Sequence, residues 1–282
     1  MDLPYKPDFS GRVAVVTGGA GVLCREFCKA LAFCGAKVAV LNRTLSRAEA
    51  VADEIRAAGG EAVAVPVNVT DPASVAKAHQ TVLDIYGKCD ILINGAGGND
   101  PAATADDEFF SADTLLDPKK KSFFDLTTEG FSKVFDLNIL GTLLPTQAFA
   151  RDMTEKGGSI LNISSMNAFT PLTKIPAYSA AKSGVSNFTQ WLAVHFAHCG
   201  IRCNAIAPGF FSTAQNRALL WNDDGTPTAR TGRILNATPM SRFGEPDELI
   251  GAVLFLLDEK CSGFITGVIL PVDGGFNAYS GV

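Results

Sequence analysis

The chain has 282 residues, of which 47% are hydrophobic and 19% charged, a composition that excludes disordered and fibrous proteins and predicts a soluble globular fold. Its 24 Lys and Arg residues against 29 Asp and Glu residues give a net charge of −5, which removes the electrostatic basis of a general nucleic-acid binder. No apolar run approaches the roughly 18 residues of a membrane-spanning helix, and the first ten residues do not read as a signal peptide. We therefore expect a cytoplasmic protein with no nucleic-acid or membrane partner.

Short apolar runs rich in Val, Ile and Ala predict buried strands. They are Val13–Thr17, Lys37–Leu41, Ala62–Val67, Ile91–Ile93, Ser159–Ile163, Ile201–Ile206 and Ile269–Val272. Stretches of helical period lie between them, as at residues 45–55, where Thr44 is a candidate N-cap and Gly59–Gly60 a stop. This alternation predicts an α/β fold, a doubly wound parallel sheet of the Rossmann type in a single domain over residues 1–282.

Two polar segments, at about 98–129 and 210–240, break this alternation and are predicted to be long loops beside a ligand site. Seven cysteines, mostly in apolar segments (Cys24, Cys28, Cys34, Cys199), predict reduced thiols in the core. His195 and His198 lack a third ligand at suitable spacing, so no metal site is expected.

A glycine-rich turn, Thr17 to Cys24, follows the first strand and leads into a helix predicted for residues 25–33. Gly19 and Gly21 satisfy the first two positions of G-x-G-x-x-G, the fingerprint in which a helix N-terminus receives a pyrophosphate, whereas the third position is Cys24. The alternative interpretation is a glycine-rich turn without a ligand.

The second strand ends at Asn42 and Arg43, where an NAD site normally carries a carboxylate for the ribose hydroxyls. A neutral amide does not repel a 2′-phosphate, and a neighbouring guanidinium can bind one. The pair favours NADP as the cofactor, with NAD as the other possibility. The alternative interpretation of Arg43 is a solvated residue at a helix start.

Tyr178 and Lys182 lie four residues apart in a segment predicted to be helical to about His198, so they share one helix face. Ser165 follows the strand Ser159–Ile163, at the carboxyl edge of the sheet where ligands bind.

Together these motifs resemble the short-chain dehydrogenase/reductase family along nearly the whole chain. The family's N-N-A-G matches Asn94 to Gly97, its active-site asparagine matches Asn138, its serine Ser165, and its Tyr/Lys pair Tyr178 and Lys182. Its glycine motif begins at Thr17 and Gly18 but has Val22 and Cys24 where glycines usually stand. Asn68 and Val69 correspond to the family's D-V motif on the adenine side, and the loop after the sixth strand matches the segment that reaches over the nicotinamide. With the glycine turn, these matches give the cofactor-binding candidates: Gly18, Gly19, Gly21, Val22, Leu23, Asn42, Arg43, Asn68, Val69, Asn94, Ala96, Gly97, Tyr178, Lys182, Pro208, Gly209, Phe211 and Thr213.

The resemblance implies hydride transfer between a nicotinamide cofactor and a ketone or alcohol. Tyr178 would donate the proton, Ser165 would hydrogen-bond the reacting oxygen, and a nearby Lys182 ammonium would lower the pKa of the tyrosine. Asn138, by resemblance, holds a water that relays protons through Lys182. Homotetramers are usual in the family and are built partly on the helix after Tyr178, so a homo-oligomer is expected.

Four stretches, at residues 93–99, 165–174, 215–220 and 273–281, look closest to the family's sugar-acid oxidoreductases of the fructuronate/D-mannonate type. A hexuronate needs a cation for its carboxylate and polar groups for its hydroxyls. The candidates are Asn99, Ser165, Asn167, Lys174, Gln215 and Arg217, with surface charge as the alternative for Lys174 and Arg217. Another sugar acid, a polyol or an acyl-thioester ketone stays open as the substrate, as does a cofactor-sensing protein without turnover.

Overall fold

The computed structural model describes residues 7–212, 220–222 and 224–281. Its centre is a seven-stranded sheet in the order β3-β2-β1-β4-β5-β6-β7, with every neighbouring pair parallel. The strands are β1 (Val13–Thr17), β2 (Lys37–Asn42), β3 (Glu61–Pro66), β4 (Ile91–Asn94), β5 (Gly158–Ile163), β6 (Ile201–Pro208) and β7 (Ile269–Val272). The predicted single-domain, doubly wound parallel sheet is confirmed.

Helices cover both faces of the sheet. In chain order they are α1 (Val22–Phe33), α2 (Leu45–Ala57), α3 (Pro72–Tyr86), α4 (Thr128–Phe135), α5 (Gly141–Met153), α6 (Pro176–His195), α7 (Ala229–Asn236), α8 (Ile250–Leu257) and α9 (Glu259–Ser262). One π-helical turn, Asp136–Leu140, joins α4 to α5.

The core has two layers because alternate strand residues point to opposite faces. Val16 and Val38 pack with α1 and α8 on one face, whereas Val15 and Ala39 pack with α3, α5 and α6 on the other. Both faces are buried, which explains why the strands are continuously apolar.

The chain reverses its winding between β1 and β4, which are neighbours in the sheet. Thr17, at the end of β1, is paired with Asn94, at the end of β4, so their carboxyl ends open at one level. Such a switch point forms the crevice in which open α/β sheets bind ligands.

Some sequence predictions need correction. Helix α1 begins at Val22 rather than at residue 25, since Gly21 in extended conformation precedes it directly. Helix α6 ends at His195, before a separate 3-10 turn at Ala197–Cys199. Helix α7 lies within the predicted 210–240 loop, and residues 98–127 contain three short 3-10 helices. None of the seven cysteines, all of which lie in the described part of the chain, forms a disulfide, but Cys199 is exposed and is not a core thiol.

Within the described part of the chain, no helix is both long and apolar enough to cross a membrane.

Candidate active site

A cleft of about 590 Å³ opens at the switch point, at the carboxyl ends of β1, β2, β3 and β4. Gly18 and Gly21 line one end of it. Gly18 has φ +63, and a Cβ there would lie 2.9 Å from the backbone of Ala96. A side chain is thus excluded where the glycine turn meets the strand tail, residues 95–97 directly after β4. The backbone of the turn is therefore open to a ligand at the start of α1.

The other glycine of the fingerprint has a packing role. A Cβ at Gly19 would lie 2.9 Å from Cγ1 of Val40 and 3.2 Å from Sγ of Cys28. Gly19 therefore allows close contact between turn, strand and helix. Neither it nor Val22 or Leu23 is among the residues that line the cleft.

Asn42, Arg43, Asn68 and Val69 all line the cleft, as their sequence positions predict. Asn42 donates from Nδ2 to the Thr44 carbonyl at 3.1 Å, and its neutral amide is the group that ends β2. Arg43 is exposed and, within the described residues, makes no hydrogen bond or ion pair. Its guanidinium is available for a ligand phosphate.

Arg47 also lines the cleft, although it was not among the residues predicted from the sequence. It lies in the first turn of α2, and its Nη2 donates to the Ala20 carbonyl at 3.4 Å. The available signal was its position four residues after Arg43, in the first turn of the helix that follows β2 and its N-cap Thr44. Together they put two cations on the β2 side of the cleft.

The strand tail after β4 contributes Gly95, Ala96 and Gly97 to the cleft wall. Asn94 differs: its side chain is buried, and its Nδ2 donates to Thr146 Oγ1 at 2.9 Å and to Asn162 Oδ1 at 2.8 Å. Asn94 thus joins β4 to β5 and α5, and its side chain faces the interior rather than the cleft.

Asn138 lies in the π-helical turn between α4 and α5 and is fully buried. Its Nδ2 donates to the carbonyls of Gly98 at 2.8 Å and Val134 at 2.7 Å, and its Oδ1 accepts from the Gly98 amide at 3.3 Å. These bonds fix both the amide and the strand tail.

Lys182 reaches the same place from α6. A Cβ on Gly97 would lie 2.8 Å from Asn138 Oδ1 and 3.0 Å from Lys182 Nζ, so the two polar groups converge where Gly97 has no side chain. Lys182 Nζ also donates to the Ile163 carbonyl at 2.7 Å and lies 5.6 Å from the ring centre of Tyr178.

Ser165 lies beside Tyr178, and hydrogen bonding by its side chain acts to lower the pKa of the phenol. Ser165 Oγ also accepts from the Asn167 amide at 3.2 Å. The structure thus brings together the four residues that the sequence nominated for catalysis, Asn138, Ser165, Tyr178 and Lys182.

The protonation states differ from the sequence expectation. Burial raises the pKa of Tyr178 above its ordinary value, and the Ser165 hydrogen bond only partly offsets this. Burial also lowers the pKa of Lys182 to about 8. The expected lowering of the tyrosine's pKa by the lysine is therefore wrong for this structure, since burial dominates and the opposing cause is the Ser165 hydrogen bond rather than the ammonium.

The substrate candidates are divided. Asn99 lines the cleft and donates to Thr104 Oγ1 at 2.8 Å. Asn167 is buried, and its Oδ1 has no hydrogen-bond partner among the described residues. Thr213, Gln215 and Arg217 lie outside the described residues.

Lys174 lies in a different cavity of about 680 Å³, which is lined mainly by residues of the segment 106–117, five of them acidic. Its Nζ donates to the Asp106 carbonyl, and its own carbonyl accepts from the Ala105 amide at 2.9 Å.

The loop after β6 also faces another cavity: Phe211 lines one of about 360 Å³ together with Met240 and Arg242. Pro208 ends β6, and a Cβ at Gly209 would lie 2.6 Å from Asp273, so this glycine allows close packing. Within the described residues, no group of three or more His, Cys, Asp or Glu could hold a metal ion.

The switch-point cleft, the glycine turn and the Ser–Tyr–Lys arrangement define a dinucleotide-binding oxidoreductase of the Rossmann type. The sequence profile of the short chain dehydrogenases matches residues 12–223, so the chain belongs to the short-chain dehydrogenase family.

Several relatives are similar over their whole length. The chain is 53% identical to an uncharacterised oxidoreductase of Haemophilus influenzae, over 100% of this chain and 99% of that protein. It is 31% identical to the 5-keto-D-gluconate 5-reductase of Escherichia coli K12, over 94% and 95%. A crystal structure from Haemophilus influenzae, provisionally described as a D-mannonate oxidoreductase with bound NAD, superimposes with a TM-score of 0.95 at 54% identity, over 98% of each chain.

Proposed function

We propose that this chain uses NADPH to reduce the keto group of a sugar acid, with fructuronate reduced to D-mannonate as the reaction. The observation that carries the proposal is the convergence of Asn138 and Lys182 at Gly97, with the Ser165–Tyr178 pair above it. Similarity to the 5-keto-D-gluconate reductase and to the provisional D-mannonate oxidoreductase supports a sugar-acid substrate.

The cleft fits a dinucleotide. Gly18 and Gly97 leave space where a Cβ would collide with backbone or with catalytic side chains, and Gly21, which lines the cleft and directly precedes α1, brings a pyrophosphate to the positive end of that helix. A bound nicotinamide dinucleotide would supply the hydride.

Ketone reduction then needs a proton donor for the oxygen. Because burial raises the pKa of Tyr178, its phenol stays protonated at neutral pH and serves as the general acid. Ser165, hydrogen-bonded to the same phenol, orients the ketone oxygen. Lys182 places a positive charge near the phenolate left after proton transfer, and Asn138 holds the strand tail that positions Gly97.

The preference for NADPH rests on the β2 side of the cleft. Asn42 brings no negative charge there, while Arg43 and Arg47 offer two guanidinium groups to a 2′-phosphate. The structure provisionally described as a D-mannonate oxidoreductase contains NAD, so NAD is the competing cofactor to be tested.

The test is a nicotinamide-absorbance assay with fructuronate, 5-keto-D-gluconate, a neutral ketose and an acetoacetyl thioester, each with NADPH and NADH. We expect kcat/KM for the keto acids to exceed that for the neutral ketose by at least about tenfold, equivalent to roughly 1.4 kcal/mol of carboxylate recognition. Preference for the thioester or the neutral ketose would contradict the sugar-acid assignment but not the family reaction.

Two variants separate chemistry from substrate binding. Tyr178→Phe should lower turnover by about 10²–10⁴ while cofactor binding, followed by nucleotide fluorescence, is retained. If Lys174 meets the substrate carboxylate, Lys174→Met raises KM for the acid more than for the neutral ketose. An equal change for both substrates would mean that Lys174 only anchors the segment at Asp106.

A further inference from the structure

We propose that the segment between β4 and α4 carries a contact surface for a second copy of this chain. Six large apolar side chains of this segment are strongly exposed: Phe109 82%, Phe110 59%, Leu115 55%, Leu116 82%, Phe123 63% and Phe124 69%. We call these six side chains the insert face. Scattered exposed apolar residues are normal on any protein, but six within sixteen positions are not.

Three of the four phenylalanine rings of the insert face are in contact. Phe124 contacts Phe110 edge to face at 5.7 Å between ring centres and contacts Phe123 at 5.5 Å. The side chains therefore pack on one another without entering the core.

The segment that carries this face is held in place. Ser111 and Ser122 cap the two 3-10 helices at Ala112–Leu116 and Phe123–Asp125, and the second cap is reciprocal through Asp125. The Ala105 amide donates to the Lys174 carbonyl, and Glu108 pairs with Arg233 of α7 at 2.9 Å. An ordered surface loses little entropy when it binds.

The exposed area is large for a single chain. At about 200 Å² for a phenylalanine side chain, the four phenylalanines alone leave on the order of 500 Å² uncovered, and the two leucines add to it. The largest apolar patch of a monomer is typically about 300–600 Å², and one side of a standard interface buries about 800 Å². With its polar rim, the insert face is large enough to form one side of a dimer contact.

The charges around the face disfavour an anionic membrane as the partner. Residues 98–129 contain eight Asp and Glu residues and three Lys residues, a net charge of −5, which opposes anionic lipid. Several of these carboxylates are already engaged: Asp107 binds Lys120 at 3.1 Å, Glu108 binds Arg233 at 2.9 Å, and Asp125 accepts from the Ser122 hydroxyl at 2.6 Å.

Because two acidic rims repel each other, the apolar face is the part of this surface that would drive association of two copies. A two-fold axis would place the same face of two copies together, which closes the assembly without leaving apolar surface. This contact would be separate from one built on helix α6.

The experiment is sedimentation velocity over a range of protein concentrations, comparing the wild type with the triple variant Phe109→Ser, Leu116→Ser, Phe123→Ser. We expect the variant to form an assembly of half the wild-type mass, with its dissociation constant raised at least about a hundredfold, because the centre of an interface dominates its affinity. Higher salt should strengthen the wild-type contact, since it screens the two acidic rims from each other.

The matched control replaces exposed apolar side chains on other helices, Leu45→Ser on α2 and Ile85→Ser on α3, and should leave the mass unchanged. Hydrogen exchange of the wild type gives a second readout that needs no variant: amides of residues 109–124 should lose protection on dilution, while those of α2 should not.

A wild-type assembly whose mass the triple variant leaves intact, or protection of residues 109–124 that is independent of concentration, would overturn the proposal. A monomeric wild type that floats with phosphatidylcholine vesicles through residues 109–124 would also overturn it, in favour of a lipid surface.

Discussion

Replacing Lys182 with methionine should abolish turnover. It should also raise the free energy of unfolding above that of the wild type at neutral and lower pH. The lysine is 4% exposed, and burial lowers its pKa from 10.5 to about 8. Between these two values the unfolded chain binds more protons than the folded one, so the unfolding free energy of the wild type rises with pH across this window. Below pH 8 the cost of burying the charge is present in full, at about 3 kcal/mol.

The substitution also removes the hydrogen bond from Lys182 to the Ile163 carbonyl, which costs about 1–3 kcal/mol and depends little on pH. At pH 7 the two contributions oppose each other, and a modest net stabilisation of about 1 kcal/mol is expected. The pH-dependent part isolates the burial cost, and it amounts to about 2 kcal/mol between pH 7 and pH 9.5.

The assay is urea unfolding of the cofactor-free wild type and Lys182→Met at pH 7, 8, 9 and 9.5. Titrating cysteines and tyrosines are shared by both proteins, so their contributions cancel in the difference. The exposed Lys77→Met on α3 serves as the control and should follow the wild type. If the unfolding free energies of wild type and Lys182→Met stay parallel over this range, the lysine is not buried as a costly charge and the argument fails.

Three further outcomes are expected. Asn42→Asp and Arg47→Ala should each weaken NADPH binding about tenfold or more, measured by nucleotide fluorescence, and only Asn42→Asp should improve NADH binding. A wild type that already prefers NADH, together with two variants that bind NADPH as well as the wild type does, would contradict the cofactor preference. Gly97→Ala should reduce kcat at least about a hundredfold, since its Cβ would displace the catalytic amide and ammonium, and unchanged kinetics would mean that this convergence is not used. Gly95→Ala should lower stability by about 1–3 kcal/mol, and Cys24→Ala should recover part of that loss; additive losses in the double variant would rule out direct coupling.

The sheet could be predicted from the sequence because its central strands are buried on both faces. Continuous apolar runs of four to eight residues leave little choice of structure when helices of clear period separate them. Strands β1 and β7 have the predicted bounds, and the others differ by at most two residues at either end. The order of the catalytic candidates along the chain then places them at one edge of the sheet.

Tertiary burial could not be predicted in the same way. The spacing of Tyr178 and Lys182 shows that they share a helix face, but it does not reveal that both are desolvated, and this reverses the expected pKa of the tyrosine. Asn94 begins a motif whose other residues line the cleft, yet its own side chain points to the interior, because successive strand residues point to opposite faces of the sheet. Lys174 is near Ser165 and Tyr178 in sequence but faces the β4–α4 segment.

The altered glycine turn is explained by a second departure from the family pattern. Cys24 stands where the family usually has glycine, and Gly95 stands at the second asparagine of its N-N-A-G motif. A Cβ on Gly95 would lie only 2.2 Å from Cys24 Sγ, so the cysteine occupies the space that a side chain at position 95 would need. The thiol is buried, and its burial raises its pKa to about 12, so it is an uncharged packing group rather than a reactive one. The close approach of the glycine turn and the strand tail is therefore kept, because the glycine that the family has on the helix is replaced by one at position 95 on the strand tail. The cleft at Gly18 and Gly97 stays open to the cofactor.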